Sequence, residues 1–279
     1  MLLAACATPF AGASKPADEL AASLRAMASL KTARADYQRQ LIEHFPSGYS
    51  DPAIAGQLPD PLIANLTGTG LVEFPDRFRY TISVRGASSD AIRQELISIG
   101  DVTYVTNNLY GRPEFGSNAR YHWVKTKHPG RLLPVNPFKT LALLAQMTRV
   151  DDLGDTTLDG LRVHHYRAGA NKTTLAAQQF KSVSDPSLQP AIRDAVDNET
   201  FDVQVWIGVD DHLIRQISEQ IHIKETVGLL NADLELPAPS AAESTQTVDT
   251  RSSFVLTFKG FNSAVSITTP ASIDVLPGR

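Results

Sequence analysis

The stretch "GTGLVEFPDRFRYTISV" (residues 68–84) decides how the rest of the chain is read. Phe78, Tyr80, Ile82 and Val84 alternate with Arg79, Thr81, Ser83 and Arg85, the period of two expected of a strand with one covered face and one wet face. Pro75-Asp76-Arg77 turns the preceding strand, 66–74, back onto it.

The same hairpin style recurs in both directions from this point. Gly100-Asp101 splits Arg93–Ile99 from Val102–Thr106, and Tyr121–Thr126 adds a strand carrying Trp123. Asp159-Gly160 joins Thr156–Leu158 to Arg162–Tyr166, and Asp210-Asp211 joins Phe201–Val209 to Leu213–Lys224. Ser252–Phe261 and Val265–Thr268 are predicted to close the chain as strands.

Helical spacing interrupts this pattern. Leu20, Leu24, Met27 and Leu30 predict an amphipathic helix over 18–32. Asn136-Pro137 predicts a second start, with Asn as N-cap and Pro where no amide donor is needed. That helix, predicted over 137–149, is apolar on most sides: Phe138, Leu141, Leu144 and Ala145 form one stripe, with Leu143 and Met147 outside it. Short helices are expected in "TLAAQQFKSV" (174–183) and "PSLQPAIRDAV" (186–196), and exposed irregular segments at 45–61 and 231–249. The sum is an α+β fold: about ten strands in a strongly curved antiparallel sheet, a half-barrel wrapped around helices.

Composition narrows the function classes. Hydrophobic residues make up 42% and charged residues 20%, with a net charge of −4. The 26 Lys and Arg are scattered along the chain, which excludes nucleic acid as the main partner. No run reaches the roughly 18 apolar residues of a membrane-spanning helix. The lone cysteine follows Leu3-Ala4-Ala5, the small-residue pattern that precedes a lipidated cysteine, so Cys6 is read as a lipid attachment point. Five residues before it are too few for a signal sequence, and they read as the remnant of a longer leader. Residues 1–16 are then a lipidation remnant and flexible tether, and 17–279 a single domain.

Chemistry-bearing patterns are absent from the sequence. His164 and His165 are adjacent on a strand and leave opposite faces, which does not suit one metal ion. No Gly-x-Ser-x-Gly elbow or phosphate-cradling glycine loop occurs, and Asp151-Asp152 and Asp210-Asp211 fall at turns. A protein without enzyme activity or cofactor is expected.

The stretch at 68–84, "ELISIGDVTYV" (95–105) with Trp123 beyond it, "FDVQVWIGVDDHLIRQI" (201–217) and "LTFKGFNSAVSITTPASI" (256–273) together resemble the LolA-like lipoprotein superfamily, in its LppX/LprG type. The resemblance runs from about Asp18 to Leu276. It implies a half-barrel with an apolar cavity between sheet and helices that takes the acyl chains of a lipid or acylated molecule. One wall would be Phe78, Tyr80 and Ile82, and the other Phe138, Leu141, Leu144 and Met147. It further implies a monomer in the bacterial cell envelope, extracytoplasmic and held at the membrane through Cys6. The other reading is a non-transporting envelope-stress sensor or surface interaction module of the same fold.

Overall fold

A computed structural model describes residues 15–49, 60–86, 91–106, 122–126, 136–180, 183, 185–233 and 238–276. Cys6, its tether and the centre of the 45–61 segment lie outside these residues. The chain begins with α1 (Pro16–Ala28), followed by five strands, β1 (Thr32–His44), β2 (Leu62–Glu73), β3 (Arg77–Gly86), β4 (Ile92–Ile99) and β5 (Val102–Thr106). Then come β6 (Trp123–Thr126), α2 (Pro137–Leu144), β7 (Arg149–Leu158), β8 (Leu161–Gly169), α3 (Lys172–Gln179) and α4 (Gln189–Asp197). The last part holds β9 (Thr200–Gly208), β10 (Ile214–Thr226), α5 (Val227–Asp233), α6 (Ala241–Ser244), β11 (Thr247–Lys259) and β12 (Val275–Leu276).

All twelve strands form one open sheet in the order β12-β6-β5-β4-β3-β2-β1-β11-β10-β9-β8-β7. Every pairing is antiparallel except β12 with β6. The architecture is the expected α+β half-barrel, its inner face covered by helices. At Asp159-Gly160 both residues take positive φ, 49° and 80°, the geometry a two-residue hairpin needs to match strand twist. Asn136 caps α2 as expected, its side chain accepting from the amides of Phe138 (2.9 Å) and Lys139 (3.4 Å).

Several expectations are corrected. The central strand β1 is absent from the sequence reading. Its inward positions are Ala33, Ala35, Tyr37, Arg39, Leu41 and Glu43, and two small and two charged residues there erase the apolar alternation. α1 ends at Ala28 and α2 at Leu144, because Thr32 and Arg149 already begin strands; Met147 therefore lies beyond its helix.

Val265–Thr268 forms no strand. Its alternating apolar residues instead lie with Ile97, Trp123 and Val275 as a small separate core on the outer face of β4–β6. The Ile267 amide donates to Glu73 Oε2 at 2.9 Å. The 231–249 segment, expected to be exposed and irregular, contains the end of α5, the capped turn α6 and the start of β11, and buries Asn231 and Val248. Phe45 and Tyr49, expected to be exposed, stack at 4.9 Å against Val227 and Leu230.

Candidate ligand-binding face

The inner face owes its shape to two glycines. Gly68 and Gly70 of β2 stand opposite Ile82 and Tyr80 of β3. A β-carbon on Gly70 would lie 2.4 Å from the Tyr80 ring, so the absence of side chains lets Tyr80 lie flat against β2. Tyr37 fills the trough from β1, its ring centroid 6.2 Å from that of Tyr80.

The expected walls meet in this region. Phe78, Tyr80 and Ile82 are all buried on the inner face of β3. From α2, Leu144 is fully buried and Phe138 and Leu141 are partly buried against the same core, as is Met147 just beyond the helix. The Phe138 ring stands edge-on to Phe74 at 5.6 Å and tilted to Phe78 at 6.3 Å. All seven residues therefore belong to one cluster. Among the described residues no apolar chamber separates the two walls.

Three polar features of this face were not found by sequence reasoning. Gln94 of β4 is 1% exposed, and neither its amide nitrogen nor its oxygen has a hydrogen-bond partner. It lies directly opposite Ile82 and diagonal to Tyr80, whose hydroxyl is also buried without a partner. A buried unsatisfied group costs about 1–3 kcal/mol, so both are unusual on an otherwise apolar patch. Burial pushes the Tyr80 hydroxyl far above the ordinary phenol range, and it stays protonated.

The third is a charged seam farther along the sheet. The row Val84–Leu66–Arg39–Phe254–Glu219–Val203 crosses β3, β2, β1, β11, β10 and β9 on the inner face. Arg39 Nε donates to Ser252 Oγ at 3.1 Å, and Glu43, Glu199 and Glu219 are buried. Burial raises the Glu219 carboxyl to about 7, with Arg39 opposing the rise and Glu199 adding to it. The signal for these residues was strand parity: Gln94 shares a face with Leu96, and Arg39 with Tyr37 and Leu41, once their strands are aligned.

On the opposite, outer face a shallow groove of about 550 Å³ is lined mainly by polar side chains, among them Gln40, Gln220, His222 and Arg251. Among the described residues no three His, Cys, Asp or Glu are grouped to hold a metal ion, and no helix is long and apolar enough to cross a membrane.

No protein-family model and no curated protein sequence matches the chain. Solved structures do. The lipoprotein LppX from Mycobacterium tuberculosis is similar over 91% of this chain and 100% of its own, at 14% identity and a TM-score of 0.42. LprF from Mycobacterium bovis is similar over 92% of this chain and 97% of its own, at 11% identity and a TM-score of 0.34. A LolA-superfamily protein from Nitrosomonas europaea is similar over 89% of this chain and 93% of its own, at 9% identity and a TM-score of 0.25. These neighbours are of the type that the hairpin pattern resembles. At such scores they assign no role to any residue, and function is read from the chain's own geometry.

Proposed function

We propose that this domain binds the acyl chains of a lipid or acylated molecule between α2 and the inner face of the sheet, and works as an extracytoplasmic lipoprotein held at the membrane through Cys6. The observation that carries this reading is the seating of α2. A helix apolar on most sides rests on a curved sheet through Leu144, with its Phe138 and Leu141, and Met147 just beyond its end, covered only in part.

The energetics set the terms of loading. Taking an acyl chain out of water gains about 0.8 kcal/mol per buried methylene, so a chain of about 14 methylenes gains about 11 kcal/mol at most. Parting Phe138 from Phe74 and Phe78 forfeits two aromatic pairs worth about 0.5–1.5 kcal/mol each beyond the apolar area they bury. From water, uptake is favourable. From a bilayer the chain gains little, and the work of lifting α2 governs the equilibrium.

A non-transporting interaction module of the same fold is the second reading, and the direct contact of Phe138 with Phe74 and Phe78 favours it. Titration with a fluorescent fatty-acyl probe separates the two. Leu141→Asp combined with Met147→Asp abolishes probe binding if the chain lies under α2, whereas Ile42→Asp in the outer groove leaves it intact. Binding lost only in the outer-groove variant, or no binding to the wild type, contradicts the acyl-binding reading.

A further inference from the structure

Among the described residues, the large apolar side chains left most open to solvent are Ile92, Leu153 and Leu161, and the last two sit on the β7–β8 hairpin. Leu161 is 50% exposed and stands directly across from Leu158, with only Asp159-Gly160 between them. β9 pairs with β8 only as far as Val163, so this leucine pair projects past the neighbouring strand. A single exposed leucine is ordinary on a protein surface, whereas a cross-strand pair at a projecting turn is a small apolar tip.

The chain leading to Cys6 leaves the fold beside this tip. The turn between β9 and β10 is bonded to the hairpin, the Val209 amide donating to the Arg162 carbonyl at 3.2 Å. That turn also meets the start of α1: His212 Nδ1 lies 2.6 Å from Glu19 Oε1, and α1 packs against β7 and β10. Nine residue steps run from Cys6 to Lys15, the N-cap of α1, and they span at most about 30 Å. A lipid on Cys6 therefore keeps the start of α1, and the hairpin next to it, within that distance of the bilayer.

Resting on the reading of Cys6 as a lipid anchor, we infer that the Leu158–Leu161 tip enters the bilayer surface beside the anchor and fixes which end of the sheet faces the membrane. Taking a half-exposed leucine out of water favours the inserted state by roughly five- to tenfold. That is too little to hold a free domain on a vesicle. The tether makes the contact intramolecular, at an effective concentration on the order of millimolar, and the same gain then sets orientation. The flanking charges add no attraction to anionic headgroups: Asp155 is paired with Arg162 and His164, Asp211 with Arg215, and Asp159 and Asp210 bring further negative charge. The contact is apolar and suits a neutral, zwitterionic surface.

The full chain, coupled through Cys6 to a maleimide phospholipid in phosphatidylcholine vesicles, provides the test, read as tryptophan emission with and without bromine on the lipid chains. Leu161→Trp is compared with Ile92→Trp, a position 39% exposed at the opposite end of the sheet. After subtraction of the wild-type signal from Trp123 and Trp206, brominated lipid is expected to lower emission at position 161 by at least about threefold and to leave position 92 unchanged. Adding Leu158→Asp to Leu161→Trp removes the quenching, and phosphatidylglycerol mixed into the vesicles does not strengthen it. Equal quenching at the two positions, or quenching that requires phosphatidylglycerol, overturns the docking contact while the anchor is in place. A dimer of the uncoupled chain that Leu161→Asp dissociates puts a second copy on the tip and overturns it too. Failure of Cys6 to take up a fatty acid in the bacterium instead overturns the anchor on which the contact rests.

Discussion

Tyr80 lies across the backbone of β2 at Gly70: a β-carbon built there would stand 2.4 Å from the Tyr80 ring and 2.4 Å from the Arg79 carbonyl oxygen. One of these obstacles is main chain, so neither rotamer changes nor local repacking removes it. Gly70→Ala is expected to cost about 2 kcal/mol or more, read as a lower urea midpoint at constant slope. Gly169→Ala, where nothing lies within 4 Å of the new carbon, is expected to fall within about 0.5 kcal/mol of the wild type. Equal effects at the two sites would contradict the close approach of Tyr80 to β2.

Glu219 makes stability depend on pH. Its carboxyl titrates near 7 in the fold, against 4.5 for an ordinary glutamate, because burial disfavours the charge. Between those values the folded state binds the proton and the unfolded state does not. The contribution is therefore complete below about pH 4.5 and is lost as pH rises through about 7. Its size is on the order of 3 kcal/mol. Glu219→Gln is expected to flatten this part of the stability profile between pH 5 and 8, and an unchanged slope would show that Glu219 does not titrate there.

The Asn136 cap holds the first turn of α2 through two amides. Asn136→Ala should weaken that end by about 1 kcal/mol. If α2 must lift for a chain to enter, stopped-flow uptake of an acyl probe becomes faster in this variant. Unchanged or slower uptake would mean that the chain enters without moving α2.

Anchoring through Cys6 predicts that the chain, exported in a bacterium behind a lipoprotein leader, incorporates an alkyne-labelled fatty acid and partitions into detergent. Cys6→Ser should lose both properties together. Labelling that persists in the serine variant would place the lipid elsewhere.

The legible parts of the fold were those where local chemistry and tertiary position agree. Gly100, Asp159 and Gly160 mark hairpins because those turns need left-handed backbone, and all three have positive φ. Asn136 marks a helix start because its side chain satisfies the free amides itself. β1 was not legible, since Arg39 and Glu43 occupy inward positions and meet partners on β10 and β11 that are distant in sequence. Val265 and Ile267 misled for the opposite reason, because a segment covering the outer face needs the same alternation as a strand. In the site, the apolar residues of β3 and α2 were visible by period. The polar group of Gln94 was not, because its oddity lies in what fails to surround it.

Native mass spectrometry of the protein purified gently from a bacterial host tests acyl binding most directly. The account predicts a population heavier than the chain by the mass of an acylated molecule, which organic extraction recovers and which Leu141→Asp with Met147→Asp abolishes. A mass equal to that of the processed chain alone, with no lipid in the extract, would contradict it.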